Sequence, residues 1–121
     1  MQSIHEALTQ TLADSGGTFD ARTLDPIAGG PWAVGGGLPG IAIPIVTPWP
    51  EPLVVAFGDA YNSRLEDGAQ VIGTWIDEGT LYVDAIDLIV DTDAAIRLAS
   101  ERGERAIYHL TDKITLEVSR Q

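Results

Sequence analysis

The side chains in this sequence that could do chemistry are mainly carboxylates, and they are concentrated in one segment. Residues 59–93 contain nine acids and a single base, Arg64. Such a segment can solvate strand ends and cap helices, form an acidic surface that docks on a basic protein, or bind a metal ion. The nine acids are Asp59, Glu66, Asp67, Asp77, Glu78, Asp84, Asp87, Asp91 and Asp93.

The spacing of these acids does not favour a metal site or a catalytic carboxylate pair. Asp91 and Asp93 match the first half of a calcium-binding loop, but the glycine and the distal glutamate of the EF-hand pattern are missing. Asp84 and Asp87 are an odd number of positions apart, so on one strand they would face opposite sides of the sheet. We therefore predict no metal site and no cofactor.

The motifs of nucleophilic and histidine chemistry are also missing. The two histidines, His5 and His109, lack the spacing of a zinc-binding pair, and no G-x-S-x-G motif is present. The sequence has no cysteine, which excludes disulfides and thiolate sites and is typical of a reducing cytoplasm. A Ser-His-Asp triad assembled by the fold stays open, because triads are recognised by geometry. We assign no catalytic residue.

A glycine run, Gly35 to Gly37 followed by Gly40, formally matches the G-x-G-x-x-G pattern. Dinucleotide binding requires this loop to open a helix whose N-terminus meets the pyrophosphate. Pro39 and Pro44 deny that context, so we predict a flexible turn, with a hinge or a lid as the alternative.

The glycine run belongs to an uncharged loop at residues 27–50, which contains five prolines and six glycines. Ile41, Ile43 and Ile45 alternate within it and predict a strand, which Pro44 places at the edge of a sheet. A loop this apolar should lie against the core or cover a partner. Candidate residues for a pocket or an interface, with burial against the sheet as the alternative for the tryptophans, are Trp32, Trp49, Tyr61 and His109.

Hydrophobic periodicity predicts three helices that would position these groups. The first covers residues 4–15, begins at a capping box of Ser3 and Glu6, and should stop at Gly16 or Gly17, either of which can form the C-terminal cap. The second covers residues 51–66, where apolar side chains recur every four positions. The third follows the N-cap residue Asp91 and ends at Gly103.

The remaining apolar segments read as strands. Residues 70–77 and 80–89 predict a hairpin around Gly79, with Trp75 in the core, and residues 106–110 and 114–118 predict a second hairpin. The order of elements predicts one α+β domain over residues 1–121. It would combine three helices with a mostly antiparallel sheet of about four to six strands.

The charge balance limits the partners. Eighteen acids against seven bases give a net charge of −11. Direct nucleic-acid binding and binding to anionic membranes are disfavoured because both need clustered Lys and Arg. We expect no transmembrane segment and no signal peptide, and hence a cytoplasmic location. The negative charge would attract a basic protein, although it could also serve solubility alone.

Two stretches of the C-terminal half are similar in sequence to a group of known proteins. Residues 71–84 (VIGTWIDEGTLYVD) and 93–108 (DAAIRLASERGERAIY) together resemble small uncharacterised actinobacterial proteins of prophages and conjugative elements. The resemblance implies a phage or mobile-element context and assigns no activity to any residue. In size and acidity the chain is also similar to immunity proteins and phage-encoded inhibitors, which is an analogy of composition.

Three hypotheses about function follow. The first is an acidic, non-enzymatic protein-binding module of the inhibitor, immunity or mobile-element accessory type, acting on a basic or nucleic-acid-handling protein. The second is a small enzyme or ligand-binding domain with a pocket under the loop at residues 27–50. The third is a homodimer formed through that apolar loop.

Overall fold

A computed structural model describes residues 2–37, 40–45 and 51–118. Within these ranges the chain forms three helices and two four-stranded antiparallel sheets, which confirms the α+β class. The strands number eight rather than four to six, because they divide between two sheets. In chain order the elements are α1 (Ile4–Asp14), β1 (Gly16–Asp20), β2 (Trp32–Val34), β3 (Ile41–Pro44), α2 (Glu51–Glu66), β4 (Val71–Asp77), β5 (Thr80–Ala85), β6 (Asp87–Ile89), α3 (Thr92–Glu101), β7 (Ala106–His109) and β8 (Ile114–Glu117).

The first sheet has the strand order β1-β4-β5-β3, and α1 and α2 pack against one of its faces. Side chains alternate along the central strands, so Ile72 and Leu81 point into the core with Phe19 and Phe57. β3 lies at the sheet edge, as Pro44 predicted. The opposite face of this sheet is therefore not covered by α1 or α2.

The second sheet has the order β6-β2-β7-β8 and packs against α3. Its core contains Trp32, Val34 and Ile107, and the small side chains of Ala95 and Ala99 allow α3 to approach closely. α3 begins as predicted, because the Asp91 carboxylate accepts a hydrogen bond of 2.8 Å from the Ala94 amide.

The chain changes sheets at Ile86, where the sequence predicted one continuous strand over residues 80–89. β5 ends at Ala85, and β6 begins at Asp87 in the other sheet. The Ile86 side chain covers Gly73, where a Cβ atom would lie only 2.6 Å from its Cγ1. Asp84 and Asp87 consequently lie on different strands, and the argument that they face opposite sides of one strand does not apply.

Turn geometry confirms the first predicted hairpin and corrects the end of the first helix. Glu78 and Gly79 both have positive φ, as a two-residue turn of type I′ requires. α1 ends at Asp14, and the left-handed residue that caps it is Ser15, with φ of 63°. Gly16 and Gly17, either of which the sequence predicted as the stop, are instead the first two residues of β1.

Candidate functional site

The nine predicted acids occupy several separate positions in the fold. Asp59 and Glu66 are exposed on α2, whereas Asp77 and Glu78 lie at the turn between β4 and β5. Asp67 lies near the other end of β4, and the seven residues of that strand span roughly 20 Å. The other four acids follow at the end of β5, on β6 and at the start of α3: Asp84, Asp87, Asp91 and Asp93.

Four of the nine acids have partners within the fold. Asp67 pairs with Arg64 at 2.7 Å, and Asp87 pairs with Arg102 at 2.8 Å. Asp91 caps α3, and Asp84 is partly buried. Within the described ranges, the acids of this segment that are exposed and neither form one of these ion pairs nor cap a helix are Asp59, Glu66, Asp77, Glu78 and Asp93.

The single base of the segment does not offset these exposed charges. Arg64 is buried on the inner face of α2, with 6% of its surface exposed, and its guanidinium donates a hydrogen bond to Asp67. Eight of the nine acids of this segment are exposed, five of them outside these ion pairs and the helix cap, whereas its one base is buried.

The predicted pocket residues are divided between the two cores. Trp32 and His109 come together across β2 and β7, with ring centroids 4.8 Å apart in an edge-to-face arrangement. The Trp32 indole N–H donates to the Thr92 hydroxyl at 2.9 Å, which fixes the ring. Tyr61 lies on α2 and donates a hydrogen bond to the Ala21 carbonyl in the first core. Trp49 lies outside the described residues.

The glycine run packs against charged side chains. A Cβ atom on Gly35 would lie 2.8 Å from Glu104 Oε1, and one on Gly37 would lie 3.1 Å from the Arg102 guanidinium. Arg102 also donates a hydrogen bond of 3.1 Å to the Gly35 carbonyl while it pairs with Asp87. The glycine run is therefore held by close contacts with Glu104 and Arg102, and a larger residue in place of these glycines would crowd those side chains.

Two carboxyl groups lie under this loop and interact electrostatically. Burial is the main cause that raises the pKa of Asp84, against a hydrogen bond from Trp75 and the charge of Arg64. Burial also raises the pKa of Glu104, the charge of Asp84 adds to it, and Arg102 opposes it. Two neighbouring carboxyls with raised pKa values can hold or transfer a proton, or can bind a cation that relieves their repulsion.

The sequence analysis missed Glu104. It follows the end of α3, and its packing beneath Gly35 and Gly36 distinguishes it from a surface glutamate. The glycine run was the one available signal, because a close approach of backbone to a side chain needs glycine.

An open cleft of about 560 Å³ lies beside these groups, where the chain passes between the two sheets. One wall carries Arg102 and Asp87, and the other carries Asp67 and Gln70. The lining combines these four polar side chains with apolar residues and glycines, so the cleft could hold a small ligand with both polar and apolar groups.

Trp75 lies on the outer face of the first sheet and not in the core, where the sequence placed it. Its side chain is 46% exposed, and its ring stacks on Tyr82 of β5 at 4.6 Å with an interplanar angle of 20°. The strand alternation explains the difference. Ile72, Thr74 and Ile76 take the inner face of β4, so Trp75 must take the other.

No group of three or more His, Cys, Asp or Glu side chains is placed to hold a metal ion among the residues that the structure describes. In the same ranges no helix has the length and apolar character needed to cross a membrane. No family model matches this chain, and neither the curated proteins nor the solved structures contain a match to it.

Proposed function

We propose that this protein is an acidic binding module that acts by docking on a basic or nucleic-acid-handling partner protein in the cytoplasm. The observation that carries the proposal is the exposure of five carboxylates of residues 59–93 while Arg64, the one base among them, is buried and paired. The mechanism is electrostatic attraction followed by occlusion of the partner's surface.

The net charge of the protein supports long-range attraction of a basic partner. The acids are too far apart in the fold to form one continuous contact surface. A charge of −11 produces a field that raises the rate of encounter with a basic protein. Screening shortens this field to about 8 Å at physiological salt, less than the length of β4. Binding should therefore depend strongly on salt, and the contact itself must rely on a more local surface.

A pull-down from the source cell at low and high salt tests the proposal. The wild-type protein is compared with a variant that carries Asp59→Asn, Glu66→Gln, Asp77→Asn and Glu78→Gln. The matched control carries Asp14→Asn, Glu51→Gln, Glu101→Gln and Glu117→Gln, all exposed acids outside residues 59–93. Each variant removes four negative charges, so both have the same net charge.

The expected result is a basic protein captured at low salt by the wild type and the control but not by the first variant. Equal loss of capture in both variants would show that only the net charge matters. Absence of any captured protein at low salt would overturn the proposal.

A second candidate function is a small enzyme or a ligand-binding domain, and one observation favours it. Asp84 and Glu104, both with raised pKa values, lie under the glycine run beside the open cleft. A thermal-shift screen with metabolites and divalent metals tests this function, because a ligand that binds only the folded state raises Tm. Stabilisation that Glu104→Gln abolishes would support it, and no shift across a broad panel would count against it.

A further inference from the structure

The outer face of the first sheet carries an aromatic surface that no helix covers. α1 and α2 pack on the opposite face, and Trp75 and Tyr82 form a cross-strand stack on this one. The residue opposite Trp75 on β1 is Gly16, which has no side chain to cover the indole ring. Nearly half of the Trp75 surface therefore stays open to solvent.

This surface is held rigid before any partner binds. Tyr82 supports one side of the Trp75 ring, and Asp84 is its neighbour on the same face of the sheet, two register positions away. A preorganised aromatic side chain loses little rotamer freedom on binding, and exposed tryptophans of this kind are enriched among the residues that dominate interface energies.

The groups beside the aromatic stack are negatively charged. Asp84 contacts Trp75 directly, and Glu104 lies close enough to interact with the Asp84 charge. Arg64 and Arg102 offset part of this negative charge, but each also forms an ion pair, with Asp67 and Asp87 respectively. An exposed ring face next to two carboxyls is complementary to a cation that is both flat and able to donate several hydrogen bonds.

We infer that Trp75, Tyr82, Asp84 and Glu104 form a docking site for an arginine side chain of the basic partner protein. A guanidinium stacks on an indole face and donates parallel hydrogen bonds to a carboxylate, whereas the ammonium of lysine is a hydrated point charge that does neither as well. This inference rests on the proposed function and identifies the local contact that the scattered exposed acids do not provide.

The test follows the Trp75 indole N–H resonance in a titration with short capped peptides. The three probes contain one arginine, one lysine, or one citrulline, which has the shape of arginine without its charge. The variants are Trp75→Leu, Trp75→Phe and Asp84→Asn, and Glu117→Gln is the matched control because it removes one charge from an exposed position on the second sheet. Circular dichroism checks that each variant folds.

The arginine peptide is expected to shift the resonance, the lysine peptide to shift it less, and the citrulline peptide to leave it in place. Asp84→Asn should weaken arginine binding by at least about threefold, whereas Glu117→Gln should change it little. The Trp75 variants lack this indole, so isothermal titration calorimetry compares their binding, and Trp75→Phe should retain more binding than Trp75→Leu.

Three outcomes would overturn the inference. They are no shift with the arginine peptide, equal weakening by Asp84→Asn and Glu117→Gln, or an equal shift with the citrulline peptide in place of the arginine peptide. Failure of the proposed function is seen separately in the pull-down. If Trp75→Leu captures the basic partner as well as the wild type does, the docking site is wrong but the proposed function stands. If the wild type captures no partner, the proposed function itself is wrong.

Discussion

Gly40 packs so closely against the Asp84 carboxylate that a Cβ atom on Gly40 would overlap Asp84 Oδ1. Asp84 is partly buried at this point, on the outer face of the first sheet. The glycine therefore lets the loop close over a carboxyl group that would otherwise have to move toward solvent.

This contact predicts that Gly40→Ala destabilises the protein by about 1–3 kcal/mol, because one of the two overlapping groups must shift. Urea unfolding measures the change. In a background of Asp84→Ala, which removes the overlapping oxygen, the same substitution should cost much less. Equal costs in both backgrounds would show that the contact with Asp84 is not the cause.

Gly58 predicts the opposite result. It lies inside α2, and a Cβ atom there would meet only Ile4 Cγ2, at an ordinary contact distance of 3.9 Å. Gly58→Ala should stabilise the protein by about 0.5–1 kcal/mol, because alanine has less backbone freedom to lose in a helix. Thermal unfolding measures the gain, and a lower Tm would mean that the space beside Ile4 is too small for a methyl group.

The buried hydroxyl pair of Thr11 and Thr74 connects α1 to the inner face of β4 at 2.7 Å. Thr74→Val should cost about 1–3 kcal/mol, because it leaves the Thr11 hydroxyl buried without this partner. The double variant Thr11→Val/Thr74→Val should cost clearly less than the sum of the two single changes. A double-mutant cycle by urea unfolding measures the coupling, and strict additivity would contradict it.

The raised pKa values of Asp84 and Glu104 predict a specific pH dependence of stability. Folding raises these pKa values above 3.8 and 4.5, the ordinary values, mainly through burial. The folded protein then binds protons at higher pH than the unfolded chain, so the penalty of burying both charges is relieved as pH falls through the raised pKa values. Arg64, Arg102 and the Trp75 hydrogen bond reduce the effect without reversing it.

The free energy of unfolding of the wild type, relative to Asp84→Asn/Glu104→Gln, should therefore rise as the pH falls from neutral through the raised pKa values. The pair Glu101→Gln/Glu117→Gln removes the same charge from exposed positions and serves as the control. Subtracting the free energy of unfolding of the Asp84→Asn/Glu104→Gln variant from that of the wild type cancels the contribution of the other acids, which titrate in both proteins. A difference that stays flat, or one that the control reproduces, would contradict the assignment.

Local signals predicted most of the elements. The capping box at Ser3, the N-cap at Asp91 and the turn at Gly79 each depend on residues close in sequence, and each was confirmed. The edge position of the strand with Pro44 was also correct, since a proline lacks the amide that a central strand needs.

The division into two sheets could not be predicted. Residues 80–89 are rich in β-forming side chains and contain no glycine or proline, so nothing local marks the break at Ile86. The break depends on which strands are available for pairing, and that is decided by residues far away along the chain. The same applies to the site, because Asp84 and Glu104 meet only after both sheets have formed.

The order in which strands enter the sheets has a consequence for synthesis of the chain. β2 lies between β6 and β7, so both of its neighbours are encoded more than fifty residues downstream. A nascent chain that has just left the ribosome up to α2 carries this strand with both hydrogen-bonding edges vacant. The second sheet must therefore assemble almost entirely after translation has passed residue 109.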